Sequence, residues 1–138
     1  MKTIHLLDTN MATYIVSGRS KAAREKLKEA LEQSTVAVSA ITQAEILFGV
    51  ENKPGASRLR AAIEEFFEAV QVLPWDSTAA RAYGKLRAHL SAAGKSLSAM
   101  DMLIAAHAAA IGAVLVTRDK AFLHAAPFLD IVDWAIDL

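Results

Sequence analysis

The sequence predicts an α/β fold, a three-layer α/β/α sandwich around a central parallel sheet of four to five strands. Short apolar, β-branched runs such as VAVS and VLVT alternate with longer segments of helical periodicity, which is how strands buried between helices read. The 138 residues match one domain, residues 1–138, long enough for a sizeable core. No repeat, low-complexity stretch or linker divides them.

The elements follow in order. Thr3 to Leu7 is a short apolar strand, and Asp8-Thr9-Asn10 opens a helix through about Val16, which breaks at Gly18-Arg19-Ser20. Lys21 to Gln33 is an amphipathic helix with Ala23, Leu27, Ala30 and Leu31 inward. Val36 to Ser39 is the second strand. Thr42 to Val50 follows as a helix with Ala44, Leu47 and Phe48 on its apolar side, and Asn52-Lys53-Pro54-Gly55 is a turn. Ser57 to Ala69 carries Leu59, Ile63, Phe66 and Phe67 at helical spacing, aromatics that suit a core or subunit interface rather than base stacking. Val70 to Leu73 is a strand ended by Pro74. Asp76 or Ser77 caps a helix to about Ala93 with Ala79, Tyr83, Leu86 and Leu90 inward, and Gly94 closes it. Ser98 starts a helix that is apolar nearly all round and therefore buried on several sides. Ala113 to Val116 is a buried strand, Asp119 to His124 a helical turn, and Ile131 to Trp134 the last strand.

Composition removes several function classes. With 54% hydrophobic and 22% charged residues the chain is neither disordered nor, given no apolar run of sufficient length, membrane-spanning. The N-terminal MKTIHLLDTN places an acid where a signal peptide would stay apolar, so a cytoplasmic location is expected. There is no cysteine, which excludes disulfides, thiolate catalysis and Cys-ligated zinc. The 4 histidines, His5, His89, His107 and His124, lack HxH or HExxH spacing and suit structural or surface roles. Any bound metal must be held mainly by oxygen, which points to Mg²⁺ or Mn²⁺.

Four acids recur where an apolar strand ends or a helix begins: Asp8 in HLLDTN, Glu45 in AITQAEILFG, Asp101 in LSAMDMLIAAHA and Asp119 in VLVTRDKAF. In a parallel sheet the carboxyl ends of the strands share one edge, so residues there meet in space. Each acid alone has a structural explanation. Asp8 and Asp119 can cap the helices that follow, and Thr42 with Glu45 or Ser98 with Asp101 match a capping box. Caps would scatter over both ends of the sheet, however, whereas these four share one. Asp101 is the one charged residue of its helix, and a carboxylate beside so apolar a body calls for compensation by the positive helix end and a cation.

The formal net charge of zero argues against a nucleic-acid partner only on average. Of 15 acids, setting aside these four leaves 11 against 15 Lys and Arg, a net of +4. No acid occurs between Asp76 and Asp101, while Arg81, Lys85, Arg87, His89 and Lys95 do. Arg81, Lys85 and His89 share a helical face, which serves equally as a solvated surface or a phosphate-tracking one.

Taken in order, LLDTN, ITQAEILFG, SAMDMLIAAHA, VTRDKAF and the final strand ending at Trp134 resemble the PIN-domain ribonucleases, in particular the VapC-like toxins of bacterial toxin–antitoxin pairs. The resemblance spans nearly the whole chain. It implies that Asp8, Glu45, Asp101 and Asp119 form an acidic catalytic site, with Asp8 and Asp101 in direct contact with Mg²⁺ (Mn²⁺ substituting). Asn10 and Thr117 would give polar support. Arg118 stands where relatives commonly have Asn, and is expected to serve as polar support or in substrate binding. An RNA substrate such as tRNA or rRNA, a VapB-like antitoxin and a homodimer are implied as partners. Three rivals are a DxD phosphatase, for which Asn10 stands in place of the second Asp, a PIN nuclease of RNA maturation, and a non-enzymatic module in which all four acids are caps.

Overall fold

The computed structural model describes residues 2–138. The elements are β1 (Ile4–Leu7), α1 (Thr9–Ser17), α2 (Lys21–Gln33), β2 (Thr35–Ser39), α3 (Ala40–Glu51), α4 (Ser57–Ala69), β3 (Gln71–Leu73), α5 (Ser77–Ala92), α6 (Ala99–Ile111), β4 (Val114–Val116), a 3-10 helix (Lys120–Ala125) and β5 (Asp130–Val132). All strand pairings are parallel, and the 5 strands stand in the order β3-β2-β1-β4-β5. The chain therefore winds outward from β1 to β3, then crosses back to β4 on the other side of β1. Leu7 lies beside Val38 and Val116, so β1 is the centre of the sheet.

Alternation along the central strands builds one core on each face, because successive side chains of a strand point to opposite sides. Leu7, Val36, Val38 and Val116 pack with Met11 and Ile15 of α1 and Ile63 and Phe66 of α4. Leu6, Ala37 and Leu115 pack with Leu86 and Leu90 of α5, Ile104 and Ala108 of α6, and Phe122. Helix α6 is buried on several sides, as its composition predicts.

Three expectations are corrected. Leu31 of α2, expected inward, is 40% exposed, while Ala23 is buried and Leu27 and Ala30 pack against the core. Helix α3 starts at Ala40, because the Ser39 hydroxyl rather than Thr42 accepts the first free N–H, that of Ile41, at 3.1 Å. Its inward residues are Thr42, Ile46 and Val50, while Ala44 faces solvent, Leu47 is 38% exposed and Phe48 68% exposed. AITQAEILFGVE has apolar side chains around most of its circumference, so spacing alone does not choose the inward face. The last strand ends at Val132 instead of Trp134. Asp133 turns the chain by accepting the N–H of Ala135 at 2.8 Å, and Trp134 tucks its ring against His5, 5.3 Å between centroids.

Candidate active site at the reversal of strand order

Where strand order reverses, the loops after neighbouring strands diverge and leave a crevice at the carboxyl edge of the sheet. Here that crevice lies between β1 and β4. Asp8 follows β1 directly and is 4% exposed. Its backbone N–H donates to Val116 at 3.1 Å, and its Oδ1 accepts the N–H of Met11 at 2.7 Å as the N-cap of α1. Thr117, the residue after β4, donates its hydroxyl to Asp8 Oδ2. The same Thr117 oxygen accepts the N–H of Asp119 at 3.0 Å. One threonine thus fixes the carboxylate after β1 and the turn that presents Asp119. Asp119 itself caps the 3-10 helix through Ala121, at 2.9 Å, and is exposed.

Asp101 sits in the first turn of α6, where Ser98 accepts its N–H at 3.2 Å and so fixes the start of the helix. Glu45 lies in the second turn of α3 and not at its first, but still reaches the crevice. Its Oε1 accepts the Thr9 hydroxyl at 2.6 Å, and Thr9 also stands 3.2 Å from the buried Thr42 hydroxyl.

The four acids are close enough for their charges to act on one another. Burial pushes the Asp8 carboxyl up to about 6, against the hydrogen bonds from Thr117 and Met11 that favour the ionised form, and repulsion from Asp101 and Asp119 adds to the rise. Burial also raises Asp101, with the Ser98 side chain opposing and Asp119 and Glu45 adding repulsion. The polypeptide supplies these acids with no guanidinium or ammonium partner among the described residues. As the side chains stand, no three of the described acids and histidines form a closed metal cage. A magnesium ion does not need one. It is commonly held by one or two carboxylates and retains several waters, and buried, mutually repelling oxygen donors suit that role.

Thr9 is the polar contact that the sequence does not disclose. The family resemblance implies a supporting role for Asn10, yet Asn10 is exposed and none of the described hydrogen bonds holds its side chain, whereas Thr9 braces Glu45 across 36 positions. Arg118 turns away from the acids. Its guanidinium donates to the carbonyls of Ala135 and Leu138, at 3.0 and 2.9 Å, and fastens the C-terminal segment. Thr117 keeps the supporting place given to it. A further link is buried behind the site: His107 Nδ1 lies 2.8 Å from the Ser39 hydroxyl, joining α6 to the end of β2. Burial holds His107 below its usual pKa, with the Asp76 charge opposing. No spacing rule could pair residues 68 positions apart.

Comparison with known proteins adds a decisive match: the PIN domain family accounts for residues 5–127. The chain belongs to the PIN-domain family. Within it, similar proteins include VapC proteins. The tRNA(fMet)-specific endonuclease VapC of Salmonella typhimurium is 32% identical over 94% of this chain and 96% of its own length. Ribonuclease VapC2 of Haemophilus influenzae is 31% identical over 83% of this chain and 86% of its own. Among solved structures, VapBC2 from Rickettsia felis bound to a promoter DNA fragment superposes with a TM-score of 0.90 at 27% identity, covering 96% of this chain and 99% of that one. DNA-bound VapBC from Salmonella typhimurium gives 0.87 at 30% identity over 97% and 99%. This PIN domain thus shares the fold of the VapC chains over 96–97% of its length.

Proposed function

We propose that this PIN domain is a divalent-metal-dependent endoribonuclease and the toxin of a toxin–antitoxin pair, hydrolysing RNA phosphodiesters at Asp8, Glu45, Asp101 and Asp119. The observation that carries the reading is the buried Asp8, held at the crevice by Thr117 and repelled by Asp101 and Asp119, with Glu45 repelling Asp101 in turn and no guanidinium or ammonium partner among the described residues. Asp8 and Asp101 would hold Mg²⁺, with Mn²⁺ able to substitute. Such an ion supplies charge stabilisation for the phosphoryl oxygens and lowers the pKa of a nucleophilic water. Thr117 and the Met11 N–H keep Asp8 oriented, and Thr9 keeps Glu45 turned into the crevice. Glu45 and the exposed Asp119 would hold metal-bound waters or a second ion, and one of them would accept a proton from the attacking water. An open edge crevice suits single-stranded or looped RNA, whose unstacked nucleotides can bend into it. The named specificity of the Salmonella relative makes tRNA the first substrate to test.

Regulation by a VapB-like antitoxin fits a groove of about 220 Å³ between α1, α3 and α4. Val16, Ile46, Val50, Leu59 and Ile63 make it apolar, and Glu45 with Thr9 stands at one end. An inhibitory segment that fills this groove with apolar side chains could place an arginine on the site acids, since a guanidinium bridges carboxylates with paired hydrogen bonds. The VapBC complexes among the structural neighbours support such a partner. Expression of the wild-type chain alone should arrest bacterial growth, co-expression with a cognate VapB-like antitoxin should restore it, and Asp8→Ala should be harmless. A chain that cleaves RNA in vitro but is harmless at high expression would instead be a PIN nuclease of RNA processing.

A further inference from the structure

A second concave feature lies outside the acidic site. Between the C-terminal half of α5 and the first turn of α6, a cavity of about 350 Å³ is lined by Tyr83, Arg87, Ser91, Lys95, Ser96 and Met102, among others. The way α5 ends creates it. Gly94 adopts a φ of 68°, in the left-handed region that other residues disfavour, and the chain reverses there. The N–H groups of Gly94 and Lys95 return to the carbonyls of Ser91 and Leu90, at 3.1 and 2.8 Å. The backbone of Lys95 is thereby held beside the cavity, with its side chain exposed. Ser98 then caps α6, so the short intervening segment is anchored at both ends.

The donors in this cleft are organised and lack acidic partners. Arg87 lies along Tyr83, its Nη1 donating to the phenol oxygen at 2.8 Å and its guanidinium carbon 5.8 Å from the ring centroid. The ion pairs of the described residues are Lys26 with Glu29 and Arg60 with Glu51, and neither involves Arg87 or Lys95. Two cations, a phenol and two serine hydroxyls, with no carboxylate, make a donor set for phosphate oxygens. Met102 on the cleft wall is adjacent in sequence to Asp101. The cleft and Asp101 therefore border the same helix end, about 10–12 Å across with its side chains.

We propose that this cleft is a phosphate-binding subsite in which Arg87 and Lys95 hold the backbone of the RNA strand beside the acidic site. The proposal rests on the ribonuclease reading and extends it, assigning to the α5–α6 turn the sequence-independent part of substrate binding. The test is fluorescence anisotropy of a labelled single-stranded RNA titrated with the full chain at several KCl concentrations, in an Asp101→Asn background that stops cleavage. Arg87→Ala and Lys95→Ala should each weaken binding several-fold and flatten the dependence of log affinity on log salt by about 0.7 per contact removed. Lys95→Arg should retain most of the affinity, and Lys28→Ala on the opposite helical layer should bind as the parent does. Parental affinity and salt slope in both alanine variants would overturn the subsite. Cleavage by the unmodified chain is scored separately: loss of RNA affinity in the cleft variants without cleavage by the wild type would retain the subsite and refute the nuclease reading.

Discussion

Asp8 is the residue on which the electrostatics of the site turn. Its folded pKa of about 6 lies above the ordinary 3.8, so the folded state binds this proton more tightly than the unfolded chain does. The stability so gained is fully present below 3.8 and is lost as pH rises through about 6, a change on the order of 3 kcal/mol. Asp8→Asn should therefore raise the melting temperature of the metal-free protein above neutral pH, leave it nearly unchanged in acid and abolish cleavage, since Asn still caps a helix. Thermal melts across the pH range, paired with cleavage assays, check all three. His107 has the opposite sign of shift. Held below 6.5 by burial, it favours the fold when neutral, so its contribution is present above 6.5 and falls as pH drops below that value. His107→Ala removes a side chain that is 2% exposed and one of the two hydrogen-bond partners of the Ser39 hydroxyl, so denaturant melts should show a loss of about 2–4 kcal/mol. At this scale the sequence disclosed the acids, because each sits beside an apolar run. It did not disclose Thr9 or the His107–Ser39 link, which depend on how distant elements meet, and it assigned Arg118 to the site when the C-terminal carbonyls claim it.

Among the elements, α3 separates what a sequence can specify from what packing decides. Its existence follows from its composition, but its inward face does not, because apolar residues surround it. Ile46 is 9% exposed and Phe48 is 68% exposed on the same helix. Ile46→Ala should cost about 2–4 kcal/mol in urea denaturation. Phe48→Glu should leave the fold of a protomer intact. The homodimer expected from the sequence was argued from Phe66 and Phe67, but Phe66 is buried in the chain's own core with Phe67 packed against it. Leu47 and Phe48 are instead the apolar surface that α3 leaves exposed. If it serves a homodimer, sedimentation of the wild type should give a dimer and of Phe48→Glu a monomer. A wild-type monomer at micromolar concentration would contradict it. Strand ends were legible to within one residue, except that β5 stops two residues short of Trp134, which extends the apolar pattern beyond the last ladder hydrogen bonds.

For the whole molecule, alternation of strands and helices predicted the parallel α/β sandwich and, through it, a shared edge for the acids. Strand order was not legible, since no local pattern records that β4 returns beside β1. That return gives the shared edge its meaning, for it puts Asp8 and Thr117 in contact and opens the crevice between them. Among the described residues no helix is long and apolar enough to cross a membrane. The account as a whole holds that the gathered carboxylates exist to bind a divalent ion for RNA hydrolysis, and not simply to cap helices. Its most direct test is cleavage of initiator tRNA and total tRNA by the purified chain, with Mg²⁺ or Mn²⁺ and with EDTA, alongside Asp8→Ala and Asp101→Ala. The account predicts cleavage that requires the metal and is lost in both variants. Cleavage that persists in EDTA, or in either variant, would contradict it.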